Sequence, residues 1–322
     1  MPDAFYRRWV VAFLVFLLLA GCQQEKPPLR VALLEWPPYE LAFWAEQNGW
    51  MGEKHIQLLE YKTPAEVTRA YASGAVDVIA VTSDFALTLA EQFPDTRIFL
   101  VIDASNGGDA VLSRTPVANN QQLVGKTIAV ESGPLGSYML NRFMDRHQLE
   151  PGDLTINYVD IPGQLIAWQQ QKMDLLITYE PSRSKLIEEG AVEIFTSRDI
   201  PNEIIDVFLI RERVMVVQKK SLSIFVNGWF KAVADLDQSD ANLFHFIGER
   251  EGLPAGRVET IFKDIAVPGI NRNREFLAGV NNGFNKGLEQ HETIMLKDGL
   301  MQNKINKQSL LTLDVMDMVE DK

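Results

Sequence analysis

Arg30–Trp36 (RVALLEW) and Ala70–Ser83 (AYASGAVDVIAVTS) recur as Thr127–Gly133 (TIAVESG) and Ala167–Glu180 (AWQQQKMDLLITYE), both displaced by 97 positions. Asp77 falls over Asp174, and Val78-Ile79-Ala80 over Leu175-Leu176-Ile177, without a gap. Between the blocks, Leu58–Tyr61 and Thr155–Tyr158 come into register as second strands. A constant offset marks an internal repeat. The reading is two copies of strand, helix, strand, helix, strand.

The periodicities agree with that order. Leu41, Trp44 and Ala45, then Val67, Ala70 and Tyr71, and in the second copy Leu140, Phe143 and Met144, each place apolar side chains on one helical face. Val78–Val81 and Leu175–Ile177 are unbroken apolar runs, as parallel strands covered on both faces should be. Asp77 and Asp174, just before these strands, read as turn or capping residues rather than ligands. From Ser221 onward the pattern is helices alone, through Phe225, Trp229 and Phe230 to Phe276–Leu288. Apolar stripes of that size need a partner, so the helical tail must cover one of the lobes.

The chain has 322 residues, 46% of them hydrophobic, and a formal charge of −12. That is a globular composition with length for about two domains of roughly 150 residues. An acidic chain with no basic run longer than a pair excludes nucleic acid as a partner. A single cysteine excludes a disulfide framework, an iron–sulfur cluster and a Cys-rich zinc site. There is no HExxH, nucleophile elbow, Walker loop or dinucleotide fingerprint. Of the four histidines, His55 and His147 fall at helix-to-strand connections and His245 and His291 in the tail, none placed for acid–base work. No cofactor or metal site is expected.

The cysteine stands at a particular place. Arg7-Arg8 precede the apolar run Trp9–Ala20, which at 12 residues suits a signal peptide better than a membrane span. The run ends in Leu19-Ala20-Gly21-Cys22, which resembles the lipobox of bacterial lipoproteins and makes Cys22 the expected lipidation site. An ordinary secretory signal followed by an incidental cysteine is the alternative. Gln23–Pro28 (QQEKPP) then reads as a short polar leash.

In parallel α/β units ligands collect at the carboxyl ends of strands. The repeat puts four loops there: Glu35–Tyr39, Glu131–Tyr138, Thr82–Asp84 and Tyr179–Pro181. Trp36 and Tyr39 read either as an aromatic wall for a ligand or as packing residues. Thr82, Ser83 and Asp84 read as cleft residues or as caps of the helix carrying Leu87 and Leu89. Ser132, Gly133 and Ser137 could cradle an anion.

The blocks LRVALLEWPPYE (29–40), FWAEQNGW (43–50), SGAVDVIAVTS (73–83), DASNGGDAV (103–111), LVGKTIAVESGPLGSYML (123–140), MDLLITYEPSRSKL (173–186) and IPNEIIDVFLIR (200–211), in this order, resemble the type II periplasmic substrate-binding proteins of ABC importers. The similarity runs over about residues 29–290 and points to the branch of nitrate, aliphatic sulfonate, taurine and thiamine-pyrimidine-precursor receptors. It implies an α/β, two-lobe fold with hinge crossings near Asp103–Val111 and Ile205–Ile210, and a helical C-terminal tail packed on the first lobe. The expected division is 1–21 signal peptide, 22–28 lipidated cysteine and linker, 29–108 with 205–322 as lobe 1, and 109–204 as lobe 2. The resemblance further implies a monomeric, non-enzymatic receptor on the extracytoplasmic face of a bacterial membrane. It would close on a small molecule and deliver it to an ABC permease in the inner membrane. A sensor reporting to a membrane signalling protein is the alternative output.

The expected ligand contacts are Trp36, Tyr39, Thr82, Ser83, Asp109, Ser132, Gly133, Ser137, Tyr179, Glu180 and Asp206. Glu35, Asp84, Asp109, Glu131, Glu180 and Asp206 make the cleft loops acidic, and the nearest basic residue is Arg183. Carboxylates favour an amine or aminopyrimidine, held by charge-assisted hydrogen bonds with Trp36 or Tyr39 stacked over it. A sulfonate- or nitrate-like anion is the competing expectation. An enzyme branch of the same fold depends on a reactive His and a Cys-rich motif that this sequence lacks at matching positions.

Overall fold

The two copies of the repeat become the parallel cores of two separate sheets in the computed structural model, which describes residues 26–279 and 282–320. The expected signal peptide and lipidation site, residues 1–21 and Cys22, lie outside those residues. The strands are β1 (Leu29–Leu33), β2 (Ile56–Glu60), β3 (Val78–Thr82), β4 (Thr96–Ser105), β5 (Asp109–Ser113), β6 (Thr127–Val130), β7 (Thr155–Tyr158), β8 (Leu175–Tyr179), β9 (Val192–Thr196), β10 (Ile205–Arg211) and β11 (Ile265–Ala266). The first sheet has the order β11-β4-β10-β3-β1-β2 and the second β7-β6-β8-β5-β9.

The repeat is exact in register. Val31 pairs with Val78 and Ala32 with Ile79 across β1 and β3, while Ile128 pairs with Leu175 and Ala129 with Leu176 across β6 and β8. Each of these four pairs maps onto its counterpart by the same 97 positions. The aspartates before the third strands repeat too. Asp77 accepts a hydrogen bond from the backbone N–H of Arg30 at 3.0 Å, and Asp174 from that of Thr127 at 2.9 Å. They clamp the start of the first strand to the start of the third.

The chain passes between lobes twice, and both passages end in an antiparallel strand. Leaving β4, it runs through 106–108 and enters β5, which pairs antiparallel with β8 and β9. Returning through 197–204, it enters β10, which pairs antiparallel with β3 and β4. Each sheet therefore has three parallel strands flanked by a crossing strand, and the two crossing strands occupy equivalent places. Asp206 at the start of β10 lies opposite Thr82, and Asp109 at the start of β5 lies opposite Tyr179.

The tail covers the first lobe. Trp229 and Phe225, on the helix Lys219–Asp237, pack edge-on against Phe208 of β10, with centroids 5.2 and 5.1 Å away, and Phe99 of β4 stacks on Phe208 at 5.9 Å. The tail is not helical throughout, because Ile265 and Ala266 add a two-residue strand beside Ser105 and Ala104. A run so short carries no readable period. The second lobe has a smaller core on one face of its sheet, formed by Leu112, Trp168, Met173, Leu176 and Leu186.

At the cleft end of β4 the pairing with β10 slips between Asp206 and Val207, where Asp206 faces Asp103 but Val207 faces Val101. Such a bulge leaves ladder groups unpaired. Asn273, wholly buried on the helix Ile270–Leu277, satisfies one of them, its Oδ1 accepting from Val101 N at 2.7 Å. Asn273→Ala strands that buried N–H, and a loss of about 2 kcal/mol of unfolding free energy is expected in urea titration. Asn273→Asp, which keeps the acceptor, should lose less; an Ala variant as stable as the parent would contradict the role.

Candidate ligand-binding cleft

The site forms where the carboxyl ends of both sets of parallel strands meet. After β1 the chain turns through Trp36 into a single turn of helix, Pro37–Tyr39. The Trp36 indole N–H donates to Asp103 at 2.9 Å, and its ring meets Tyr179 of the other lobe edge-on at a centroid distance of 6.0 Å. A Cβ on Gly108 would come within 2.7 Å of the Trp36 ring, so glycine at the first crossing is what admits the indole. The Tyr39 hydroxyl donates to the Asp206 carboxylate.

Trp36, Tyr39, Thr82, Asp109, Tyr179 and Asp206, all expected at the site, line a single pocket of about 440 Å³ including its mouth. Phe85, Leu135 and Ile204 complete its apolar wall, and Glu35 stands at its edge. An adjoining hollow of about 230 Å³ continues into the second lobe past Asp109 and Tyr179 to Glu131 and Thr178.

Other expected contacts are committed elsewhere. Ser83 is buried with its hydroxyl 3.2 Å from Nδ1 of His291 on the tail. Glu180, fully buried, accepts from Arg183 at 2.6 Å and from both the backbone and hydroxyl of Ser184, which turns it into the second lobe. Ser132, Gly133 and Ser137 surround the start of the helix Pro134–His147 but are not among the residues lining either hollow. Gly133 has φ of 134°, and a Cβ there would meet the Phe85 ring at 3.1 Å, so this glycine lets the two lobes approach. Thr82 caps nothing with its side chain; its hydroxyl donates to Asp84, whose Oδ1 also accepts from Phe85 N at 2.8 Å.

Electrostatically the cleft is an acidic chamber. Burial pushes Asp103 up to about 8, Asp109 to about 7 and Glu131 to about 8, with neighbouring carboxylates adding to the effect, and pushes Asp84 to about 6. Asp206 is raised well above the usual range by burial and by Asp103, against the Tyr39 hydrogen bond that lowers it. Asp84 Oδ2, Asp103 Oδ1 and Asp109 Oδ2 are buried with no hydrogen-bond partner. Arg183, the nearest cation expected from the sequence, is held by Glu180 and Glu193 and does not line the pocket. The pocket therefore combines buried carboxyl oxygens that lack a partner with a lining that contains no Lys or Arg.

Contacts between the lobes flank the cleft. Tyr138 and Arg142 reach Glu203 on the return crossing at 2.6 and 2.8 Å, Asn141 donates to Asp298 of the tail at 2.6 Å, and Tyr138 packs edge-on to His291. Burial holds His291 at about 3, so it packs as a neutral ring. Asp103, Phe85, Leu135 and Ile204 were not foreseen as site residues. Asp103 alone had a legible signal, as a carboxylate within the crossing block.

A family model described as "NMT1/THI5 like" matches residues 39–226. The taurine-binding periplasmic protein of Escherichia coli K12 is 25% identical over 134 residues, 41% of this chain and 42% of that protein, so the match spans less than half of the relative's length. The alkanesulfonate-binding protein SsuA of Xanthomonas axonopodis pv. citri, bound to MOPS, superposes with a TM-score of 0.71 at 16% identity, over 92% of this chain and 99% of the other. The desulfurization enzyme DSZB superposes with a TM-score of 0.68 at 14% identity, over 91% and 98%, so the fold serves enzymes as well as receptors. The family match covers more than half of the sequence and the fold agrees with it: the chain belongs to the NMT1/THI5-like family and has the two-lobe architecture of type II periplasmic substrate-binding proteins.

Proposed function

We propose that this protein is the extracytoplasmic receptor of an ABC importer, tethered by lipid on Cys22, and that it captures a small amino-bearing ligand, an amine or aminopyrimidine, between its lobes. The observation that carries the ligand class is the matched pair Asp109 and Asp206, one from each crossing strand, both buried and both lining a pocket that no Lys or Arg lines. Trp36, Tyr39 and Tyr179 supply aromatic surface for a flat or cationic group. Closure brings carboxylates from both lobes onto one ligand, so the closed form is favoured when a positive charge is present to offset them.

A sulfonate ligand is the second reading, favoured by the similarity to the taurine-binding and alkanesulfonate-binding proteins. In that case the start of the helix Pro134–His147, with Ser132 and Ser137, holds the anion.

The sign of the pH dependence separates the two. A cationic ligand needs ionised carboxylates, so binding below about pH 7–8 expels protons, and affinity rises by up to about tenfold per pH unit for each proton released. An anion prefers the protonated carboxyls, so its affinity falls over the same range. Calorimetric titration with a panel of amines, aminopyrimidines and sulfonates at pH 5.5 to 8.5 distinguishes them. Asp206→Asn and Asp109→Asn should each weaken a cationic ligand by about 30-fold or more, the usual effect of removing one partner of a desolvated ion pair. Unchanged affinity in both variants overturns the amine reading.

The same groups set the stability of the unliganded protein. Carboxyls whose folded values lie above their ordinary ones hold protons more tightly when folded, so their contribution is fully present below the ordinary carboxyl range near pH 4 and is lost progressively from there until pH passes the folded values of about 6 to 8. Melting temperature without ligand should therefore fall across that interval. Asp109→Asn, which replaces an ionising group with a neutral one, should flatten the fall; an identical slope in the variant would contradict it.

A further inference from the structure

The N-terminal linker leaves the protein at one defined place on the first lobe. Lys26 Nζ donates to the Val217 carbonyl at 2.9 Å and the Gln218 side chain donates to the Pro27 carbonyl at 3.0 Å. The leash is therefore tied down at its described end, beside the junction of the helices Glu212–Val217 and Lys219–Asp237. Around that junction Lys26, Lys54 and Lys220 line one hollow together with His55 and Val217. Lys219 and Val216 lie over the next hollow, where Asp314 and Asp317 face them, and Glu53 adjoins Lys54 in sequence. Val216 and Val217 are 61% and 56% exposed, among the most exposed large apolar side chains among the described residues.

In a chain of net charge −12, lysines gathered around two exposed valines at the point where an apolar segment joins the fold are a surface for an anionic bilayer. The location fits. Leu29 N donates to the His55 carbonyl at the amino end of β1, whereas the ligand pocket begins with Leu34 and Glu35 just beyond its carboxyl end. The five residues of β1 separate the two by about 15 Å, with the cleft pointing away from the patch. A membrane under the lysines leaves the mouth of the cleft open.

We propose that this face rests on anionic phospholipid headgroups, with Lys26, Lys54, Lys219 and Lys220 over the phosphates and Val216 and Val217 at the headgroup level, so that the receptor stands upright on its own membrane. The proposal rests on the reading of residues 1–22 as a membrane-anchoring segment.

The test is lysine acetylation of the full chain, reconstituted into vesicles of phosphatidylcholine alone or with about 30% phosphatidylglycerol, read by mass spectrometry, with flotation measured on the same samples. Lys26, Lys219 and Lys220 should be acetylated about fivefold more slowly on the phosphatidylglycerol vesicles, and the protection should vanish near 0.5 M salt. Lys172 and Lys263, on other faces, should react equally on both. Lys219→Glu with Lys220→Glu should remove the protection of Lys26 without preventing flotation. Flotation on both vesicle types with equal acetylation overturns the docking face and leaves the anchor standing. Flotation only on phosphatidylglycerol, with protection, supports the face and removes the anchor. No association with either vesicle overturns both.

Discussion

Everything at the cleft follows from where the two crossing strands enter their sheets. Because β5 and β10 each pair antiparallel with the last strand of a repeat, the opening residues of each crossing strand are forced to the carboxyl end of its neighbours. Asp109, first in β5, and Asp206, second in β10, stand there. A carboxylate delivered from each lobe to the shared mouth is thus a product of topology, and the connections that link the lobes in the chain also join them electrostatically.

That arrangement opposes burial to charge. Asp109 and Asp206 are nearly inaccessible, and Asp103 lies against Asp206 in the ladder, so ionising all of them in an empty closed cleft is strongly unfavourable. Trp36 donates to Asp103, Tyr39 to Asp206 and Ser105 to Asp109, which is fewer hydrogen bonds than three carboxylates can accept. In the proposed function the remaining acceptors at the pocket wall are those a ligand amine would meet. Apolar walls from Phe85, Leu135 and Ile204 lower the local polarity, which raises the worth of each charged contact.

Much of this was legible in the sequence because the repeat is exact. A 97-residue offset gave both sheets' parallel cores, and Asp77 and Asp174 proved to be equivalent clamps rather than ligands, as their position before buried strands implied. Trp36, Tyr39, Thr82, Asp109, Tyr179 and Asp206 all reach the pocket because strand ends dictate loop position. What local pattern could not show is where a side chain turns once it arrives. Glu180 is drawn inward by Arg183 and Ser184, three and four residues on, and Ser83 by His291, 208 positions away. The Trp36–Asp103 bond likewise spans 67 positions and depends on tertiary approach. The two-residue β11 and the bulge filled by Asn273 have no periodic signature at all.

The most direct measurement is the mass of any small molecule that co-purifies with the protein. Native mass spectrometry of the gently purified chain, with fragmentation of any released species, reports its composition without prior choice of ligand. A small molecule bearing a basic or amino nitrogen is the expected result. A sulfonate or other anion without such a nitrogen, bound in the cleft at full occupancy, would contradict the role assigned to Asp109 and Asp206.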